Sequence, residues 1–282
     1  MPSEFIPRKG IQIDLAENFE LAQARMRGKE KIPALAELIL ATQIPDIERF
    51  KKNARQSIAD FPLQNLFGTE KLGSTHKTAT AIPAIGMSDE IPEDRLIYSM
   101  LTEFECLAGV VAHGTIKPIL ESLTFAHHVT MRDIRWVVGQ SPYIPLGHHE
   151  FFCIGLMAGI QGRFLEALHV LVPQMENLLR YWLSDSVATS SLDQNGFQRE
   201  YDLKKLLDIP ETTELLDENI VTVLKMLFVH QAGPNLRNEL CHGMLNSNQL
   251  FTPFAVYAWW IAIWLPLNHV AWTIRNGQNT AD

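Results

Sequence analysis

Apolar residues recur along most of this chain at the three- and four-residue spacing of an amphipathic helix. In the N-terminal part the pattern predicts helices over residues 16–27, 32–41 and 45–58, separated by Gly28 and a short proline-containing segment. Helical periodicity resumes at Glu93 and continues, with breaks, to the end of the chain. No stretch alternates convincingly between apolar and polar residues as a half-buried strand does. The pattern therefore predicts an all-α protein.

Residues 67–92 differ from their surroundings, because they contain three glycines, two prolines and several serines and threonines. This composition is typical of a linker or a long surface loop. We therefore divide the chain into an N-terminal helical region (residues 1–66), this linker or loop, and a helical domain (residues 93–282). The pattern leaves open whether the N-terminal helices pack on the helical domain or form a small separate unit.

A long uncharged run near the C-terminus raises the question of a membrane span. Residues 240–274 contain no Asp, Glu, Lys or Arg, but the purely apolar part, residues 254–267, has only 14 residues and includes Pro266. Because a bilayer span needs about 20 apolar residues, we expect a core helix that starts after Thr252. The first residues lack the apolar segment of a secretory signal. Together these features predict a soluble, cytoplasmic protein without a membrane partner.

The overall charge and the spacing of potential ligands exclude some classes of function. A formal net charge of −8 argues against a large basic face for nucleic acid, although it permits a local basic pocket. The three cysteines form no CxxC pair, which favours free thiols in a reducing compartment. His148, His149 and Glu150 are adjacent, but side chains of adjacent residues point about 100° apart on a helix. We therefore expect no metal site and no cofactor.

The densest set of chemically competent side chains lies in residues 233–244. Asn235 follows a proline and is a plausible helix cap, which would place Arg237 and Asn238 in the first turn. Unpaired backbone N–H groups there attract anions. Asn238 and His242 are one turn apart and share a face, and the long side chain of Arg237 could reach the same ligand. A guanidinium, an amide and an imidazole together suit phosphodiester cleavage.

Residues 164–183 predict a long helix with a continuous apolar stripe. Along one border of that stripe lie His169, Glu176 and Arg180, within about 40° of each other on an ideal helix. Two interpretations stay open. In the first, Glu176 and Arg180 form a solvent-exposed pair worth a few tenths of a kcal/mol. In the second, they form another wall of the site, and Glu176 orients Arg237.

The sequence Arg-Asn-Glu-Leu-Cys-His-Gly at residues 237–243 resembles the RNxxxHG signature of the DUF4209 family, a branch of the HEPN superfamily. Three upstream segments, residues 141–147, 155–159 and 171–180, resemble that family's blocks in the same order. The last of these includes Glu176 and Arg180. The resemblance covers roughly residues 118–266, whereas the first hundred residues carry no recognised signature.

The resemblance implies a HEPN-like helical bundle with metal-independent endoribonuclease activity on RNA. In that chemistry the 2′-OH of the substrate is the nucleophile. His242 would act as general base or acid, Arg237 would hold the non-bridging phosphate oxygens, and Asn238 would position a neighbour or the phosphate. In-line attack needs a base on one side and an acid on the other, and a symmetric homodimer brings two copies of the motif together. Glu176, Arg180 and Asn235 are expected to bind substrate or support these residues.

Two other functions fit the same residues. The protein could be a non-catalytic nucleotide- or RNA-binding module that uses Arg237 and His242 as contacts. Alternatively, both side chains could be purely structural and satisfy the ends of a helix. If His242→Ala abolishes RNA cleavage and leaves RNA binding intact, the protein is an enzyme, and both alternatives are excluded.

Overall fold

The computed structural model describes residues 14–61, 69–72, 78–82, 84, 91–245 and 252–278. Most of these residues are helical, which confirms the predicted all-α class. The helices are α1 (Ala16–Met26), α2 (Lys31–Ile39), α3 (Ile47–Asp60), α4 (Glu93–Val111), α5 (Lys117–Ala126), α6 (Met131–Val138), α7 (His149–Ile160), α8 (Phe164–Leu183), α9 (Leu203–Leu207), α10 (Pro210–Leu216), α11 (Glu218–Phe228), α12 (Leu236–Cys241) and α13 (Pro253–Gln278), and Ala112–Ile116 between α4 and α5 is π-helical. The strands are β1 (Thr69–Leu72), β2 (Thr78–Ile82), β3 (Ser190–Leu192) and β4 (Gln198–Glu200).

The N-terminal helices belong to the same packed body as the C-terminal helix: α2 packs against α13, α1 against α5, and α3 against α4. The indole Nε1 of Trp260 donates a hydrogen bond to the carbonyl of Ile39, at 3.0 Å, where α2 ends. Buried residues of α1, α2 and α3 belong to the same hydrophobic core as those of α13. The carboxylate of Asp46 caps α3 by accepting hydrogen bonds from the backbone N–H groups of Glu48 and Arg49. A local sequence signal therefore sets the start of α3, and burial of apolar faces fixes where the three helices lie.

Two antiparallel hairpins occur where the sequence pattern predicts no strands. The pair β1–β2 lies inside residues 67–92, and the pair β3–β4 lies in the polar segment after α8. In the second hairpin, the carboxylate of Asp193 accepts hydrogen bonds from the backbone N–H groups of Asn195 and Phe197, and Gly196 has a φ of 79°. Strands of three to five residues are too short to show a clear alternation, which is why the pattern of apolar residues does not reveal them.

The periodicity of residues 213–230 predicts one helix leading into the motif, but the structure divides this stretch into α10 and α11. Asp217 has a φ of 75° and separates α10 from α11. Its carboxylate accepts a hydrogen bond from the backbone N–H of Asn219 and so caps α11. Asp is a good N-cap residue and a poor helix former, and this explains the break inside an otherwise periodic stretch.

Close packing of α7 on its neighbours depends on two glycines, as their shared helical face predicts. A Cβ on Gly155 would overlap the side chain of Leu171, and one on Gly159 would overlap the indole of Trp259. The indole Nε1 of Trp259 donates to the carbonyl of Gly155 at 3.0 Å. These contacts hold α7, α8 and α13 together, and α8 carries Glu176 and Arg180.

The C-terminal helix runs farther than the apolar segment predicts. It continues through Pro266 to Gln278, and the hydroxyl of Ser141 donates a hydrogen bond to the carbonyl of Pro266. By length and composition, two helical segments of the described residues, Glu93–Ala126 and Pro253–Gly277, could cross a membrane. The most apolar window of the first is 33% buried inside the protein and that of the second is 78% buried. The second therefore has the surroundings of a core helix in this fold.

Candidate functional site

A tight turn after α11 brings the motif of residues 233–244 back onto that helix. The backbone N–H of Gly233 donates to the carbonyl of His230 at 2.9 Å. A Cβ at position 233 would overlap the carbonyl oxygen of Met226, so a larger residue would displace the turn. The glycine that opens the motif is therefore required for the close approach of two backbone segments.

Asn235 stands at the cap position of α12 but does not cap with its side chain. It adopts a left-handed conformation with a φ of 49°, which Asn tolerates better than most residues. Its side-chain oxygen accepts a hydrogen bond from Nδ2 of Asn238 at 2.9 Å instead of bonding to a backbone N–H. The expected cap is thus replaced by a link between two side chains of the motif, and the helix begins at Leu236.

Glu176 connects α8 to the motif through two arginines. Its Oε1 atom lies 2.7 Å from Nε of Arg237, and its Oε2 atom lies 3.1 Å from Nη2 of Arg180. The side chain of Glu176 is only 12% exposed, compared with 22% for Arg237 and 23% for Arg180. A carboxylate in this position fixes both guanidinium groups better than a solvent-exposed pair would. The structure therefore contains the contact that the second interpretation of Glu176 requires.

Burial and Glu176 act in opposite directions on Arg237. Burial lowers its pKa, but the hydrogen bond and the charge of Glu176 outweigh that effect and hold the pKa above its ordinary value. The Nη1 atom of Arg237 donates to the side-chain oxygen of Asn238 at 3.2 Å. Its Nη2 atom has no hydrogen-bond partner among the described residues. The guanidinium is therefore held by two neighbours and keeps one nitrogen available for an external acceptor.

Arg180 also ties the second hairpin to the site. Its Nη2 atom donates to the backbone carbonyl of Tyr201 at 2.8 Å, and its Nε atom lies 3.7 Å from a carboxylate oxygen of Glu200. The Nε atom itself is buried and has no hydrogen bond within the described part of the chain. We name Glu176, Arg180, Arg237, Asn238 and Asn235 the guanidinium cluster. Nothing in the sequence pattern indicates Tyr201, because any residue at that position can offer a backbone carbonyl.

His242 lies at the end of α12, outside the guanidinium cluster. Its backbone N–H donates to the carbonyl of Asn238 at 3.0 Å, so the two residues stack on one face as their spacing predicts. Its side chain is exposed, and its imidazole makes no hydrogen bond to any described residue. Glu239, one residue after Asn238, has a buried carboxylate oxygen that likewise lacks a hydrogen bond within the described residues. The imidazole is thus free to accept or donate a proton at the surface.

No family model, curated protein or solved structure gave a significant match to the chain. The fold and the site are those of an all-α protein in which a partly buried glutamate on α8 holds two arginines, and an exposed histidine follows at the end of α12. Across the ranges that the structure describes, no three His, Cys, Asp or Glu side chains come close enough together to hold a metal ion.

Proposed function

We propose that this protein is an endoribonuclease that cleaves RNA without a metal ion, by attack of the 2′-OH on the adjacent phosphate. One observation carries the proposal. Arg237 is held in place by Glu176 and Asn238, its Nη2 atom has no partner among the described residues, and the exposed His242 lies one turn beyond Asn238. A fixed guanidinium beside a free imidazole provides charge stabilisation and proton transfer, the two functions that this reaction needs. The resemblance to the DUF4209 branch of the HEPN superfamily supports the same assignment.

In the proposed reaction a base removes the proton of the 2′-OH as its oxygen attacks phosphorus. The bond from phosphorus to the 5′ oxygen breaks, and an acid delivers a proton to that oxygen. The products are a 2′,3′-cyclic phosphate and a 5′-hydroxyl. Arg237 donates to the non-bridging oxygens, whose charge increases in the transition state, and Asn238 keeps the guanidinium in plane with its target. His242 is either the base or the acid.

A second proton-transfer group is required, and we propose that a second copy of the chain supplies it. Within the described residues, no histidine side chain hydrogen-bonds to the guanidinium cluster, so the cluster holds no second proton-transfer group of this type. A symmetric homodimer that places two motifs face to face would contribute one His242 as base and the other as acid. We expect light scattering or sedimentation to give the mass of a dimer. A strict monomer that still cleaves RNA at nanomolar concentration would contradict the composite site, although not the ribonuclease activity.

Substitution of Arg237 should affect both binding and chemistry. We expect Arg237→Ala to weaken RNA binding and to lower the cleavage rate by about 10²–10³-fold, the usual effect of removing a donor to a developing anion. Arg237→Lys should restore only part of this, because a point charge cannot contact Glu176 and phosphate simultaneously as a planar guanidinium can. Arg163→Ala is the matched control, since Arg163 is an exposed arginine that pairs with Glu166 outside the cluster. Cleavage of labelled RNA and filter binding would measure both effects.

The products and the metal requirement test the mechanism separately from the residues. Activity should survive EDTA, and the 5′ fragment should end in a 2′,3′-cyclic phosphate, which mass spectrometry distinguishes from a linear phosphate or a hydroxyl. Cleavage that requires Mg²⁺ and leaves a 3′-hydroxyl would contradict the 2′-OH mechanism.

One observation favours the alternative of a non-catalytic RNA- or nucleotide-binding module. No described group orients the imidazole of His242, whereas catalytic histidines are usually held by a hydrogen bond to the second ring nitrogen. A binding module would retain RNA affinity in the wild type and show no turnover, even at high protein concentration and long incubation.

A further inference from the structure

A large open groove lies away from the guanidinium cluster and shares no residue with it. It has a volume of 1280 Å³ and runs between the end of α2, the C-terminal half of α13 and the start of α11. Pockets that hold small ligands typically measure about 300–1,000 Å³, so the groove can take a ligand of that class with solvent beside it. Aromatic, charged and amide side chains all contribute to its walls.

One side of the groove is aromatic and includes an exposed tryptophan. Trp272 lines the groove with 60% of its surface exposed, although it belongs to the core helix α13. Tyr143, 42% exposed, and the partly buried Trp264 line the same groove. Flat exposed rings in a concave site provide a stacking surface for a planar ligand.

The charged wall includes a guanidinium with unused donors. Arg275 binds the buried carboxylate of Glu37 through Nε at 3.0 Å and Nη2 at 2.7 Å, and its Nη1 atom has no partner among the described residues. Arg25 also binds Glu37, but its other donors are directed at the carbonyls of Leu40 and Ala41. Lys29 lies 3.4 Å from Glu37 as well. The single negative charge of Glu37 is therefore shared among three cations and neutralises only part of their positive charge. Arg275 is the group best placed to bind an anion.

Polar groups on two further elements complete the lining. Asn219 uses its side-chain oxygen to cap the backbone N–H of Ile47, at 2.8 Å, which leaves its NH₂ group without a described partner. Asn268 donates its NH₂ group to the carbonyls of Trp264 and Leu265, and its side-chain oxygen has no hydrogen bond to the described residues. The groove thus presents both an unused donor and an unused acceptor, and the carboxylate of Asp217 lines it as well.

We propose that this groove is a second binding site, for a nucleoside phosphate. Its ring stacks on Trp272, its phosphate binds Arg275, and the amides of Asn219 and Asn268 contact the polar edge of the base. Asp217 accepts hydrogen bonds from the sugar hydroxyls, as carboxylates do in other nucleotide sites. The same chemistry occurs in a free mononucleotide and in one nucleotide of an RNA strand. This inference does not depend on the ribonuclease proposal, because it uses none of the same side chains.

Calorimetric titration of the full chain tests the site with AMP, GMP, CMP and UMP, with adenosine and inorganic phosphate as fragments. A short 2′-O-methyl oligoribonucleotide is the strand probe, because it lacks the 2′-OH and cannot be cleaved by the proposed mechanism. Trp272→Ala should weaken binding by roughly tenfold or more, the usual effect of removing a stacking ring, and Trp272→Phe should retain most of it. Trp136→Ala is the matched control, since Trp136 is 51% exposed and does not line the groove. Melting temperature would verify that each variant is folded.

Binding of a mononucleotide that exceeds binding of adenosine or phosphate alone, and that Trp272→Ala weakens, would support a free-nucleotide site. Binding of only the oligonucleotide, with the same dependence on Trp272, would identify the occupant as a nucleotide within a strand. Absence of binding by every probe at millimolar concentration would overturn the proposal. Equal nucleotide affinity in the wild type and Trp272→Ala would also overturn the proposal. The same holds if Trp272→Ala and Trp136→Ala lose equal amounts of nucleotide affinity.

Discussion

His242→Ala should reduce the rate of RNA cleavage by about 10²–10⁴-fold, the usual contribution of general acid–base catalysis, and should change RNA affinity only a few-fold. The imidazole is exposed and has no hydrogen bond to any described residue, so its removal breaks no hydrogen bond of the described fold. It is exposed at the end of α12, and its loss leaves no cavity. The expected defect therefore lies in turnover alone. Single-turnover cleavage and equilibrium binding, measured on the same RNA, would separate the two quantities.

His169→Ala is the matched control for this experiment. His169 is also exposed and on a helix, but its Nδ1 atom bonds locally to the carbonyl of Leu165, four residues earlier. Its substitution should leave cleavage unchanged. If His242→Ala reduces affinity and cleavage equally, the histidine is a contact and the binding-module alternative is favoured. If neither quantity changes and only the melting temperature falls, the structural alternative is correct.

Much of the fold follows from local sequence signals. The capping box of Thr130 and Asp133 appears in the structure with both of its hydrogen bonds. Glycines at positions 155 and 159 share one face of α7 and allow its neighbours to approach, as their four-residue spacing predicts. The bounds of α8 agree with the apolar stripe over residues 164–183. These features depend on residues within one or two turns of each other, and such short-range relations can be inferred from a single sequence.

Features that result from two opposing effects are harder to predict from the sequence. α13 continues past Pro266, because packing against the rest of the core stabilises a helix that loses one backbone hydrogen bond. Asp217 breaks a periodic stretch through a local capping geometry that competes with helix formation. In both cases one effect favours continuing the helix and another favours ending it. The pattern of apolar residues does not show which of the two is larger.

The guanidinium cluster shows the same division. The positions of Asn238 and His242 relative to each other follow from helix geometry, and the structure agrees. The contact between Glu176 and Arg237 spans 61 residues, so the sequence left it as one of two interpretations. The bond from Arg180 to the carbonyl of Tyr201 was missed, because any residue at position 201 could provide it. The sequence therefore proposed which residues belong to the cluster, and only the fold supplied their contacts.

Substitution of the buried glutamate Glu37 has the largest expected effect on stability. Glu37 is 5% exposed and accepts hydrogen bonds from Arg25 on α1 and Arg275 on α13, with Lys29 at 3.4 Å. It therefore joins the N-terminal helices to the C-terminal helix. Replacement by glutamine keeps the size of the side chain but leaves three cations facing each other without an anion. Removal of one partner of a buried ion pair typically costs about 3–5 kcal/mol.

Glu37→Gln should accordingly lower the free energy of unfolding by about 3 kcal/mol, at the lower end of that range, since the three cations are about one-third exposed and can be hydrated. Urea denaturation at neutral pH would measure it. Glu150→Gln is the matched control, because Glu150 pairs with Arg135 on the surface and should contribute little. Equal and small effects of both substitutions would show that the Glu37 network does not hold the helices together.

The pH dependence of stability gives an independent measure of the same network. Burial raises the pKa of Glu37, but the hydrogen bond from Arg25 and the charges of Arg275 and Arg25 lower it more, so the pKa lies below its ordinary value of 4.5. A carboxyl group with a lowered pKa stabilises the folded state above the pKa of the unfolded chain, and this stabilisation is lost as the pH falls through the folded pKa. The difference in unfolding free energy between the wild type and Glu37→Gln should therefore be constant near neutral pH and shrink below pH 4.5. A difference that stays constant down to pH 3, or grows on acidification, would contradict the assignment of the stabilising charge to Glu37.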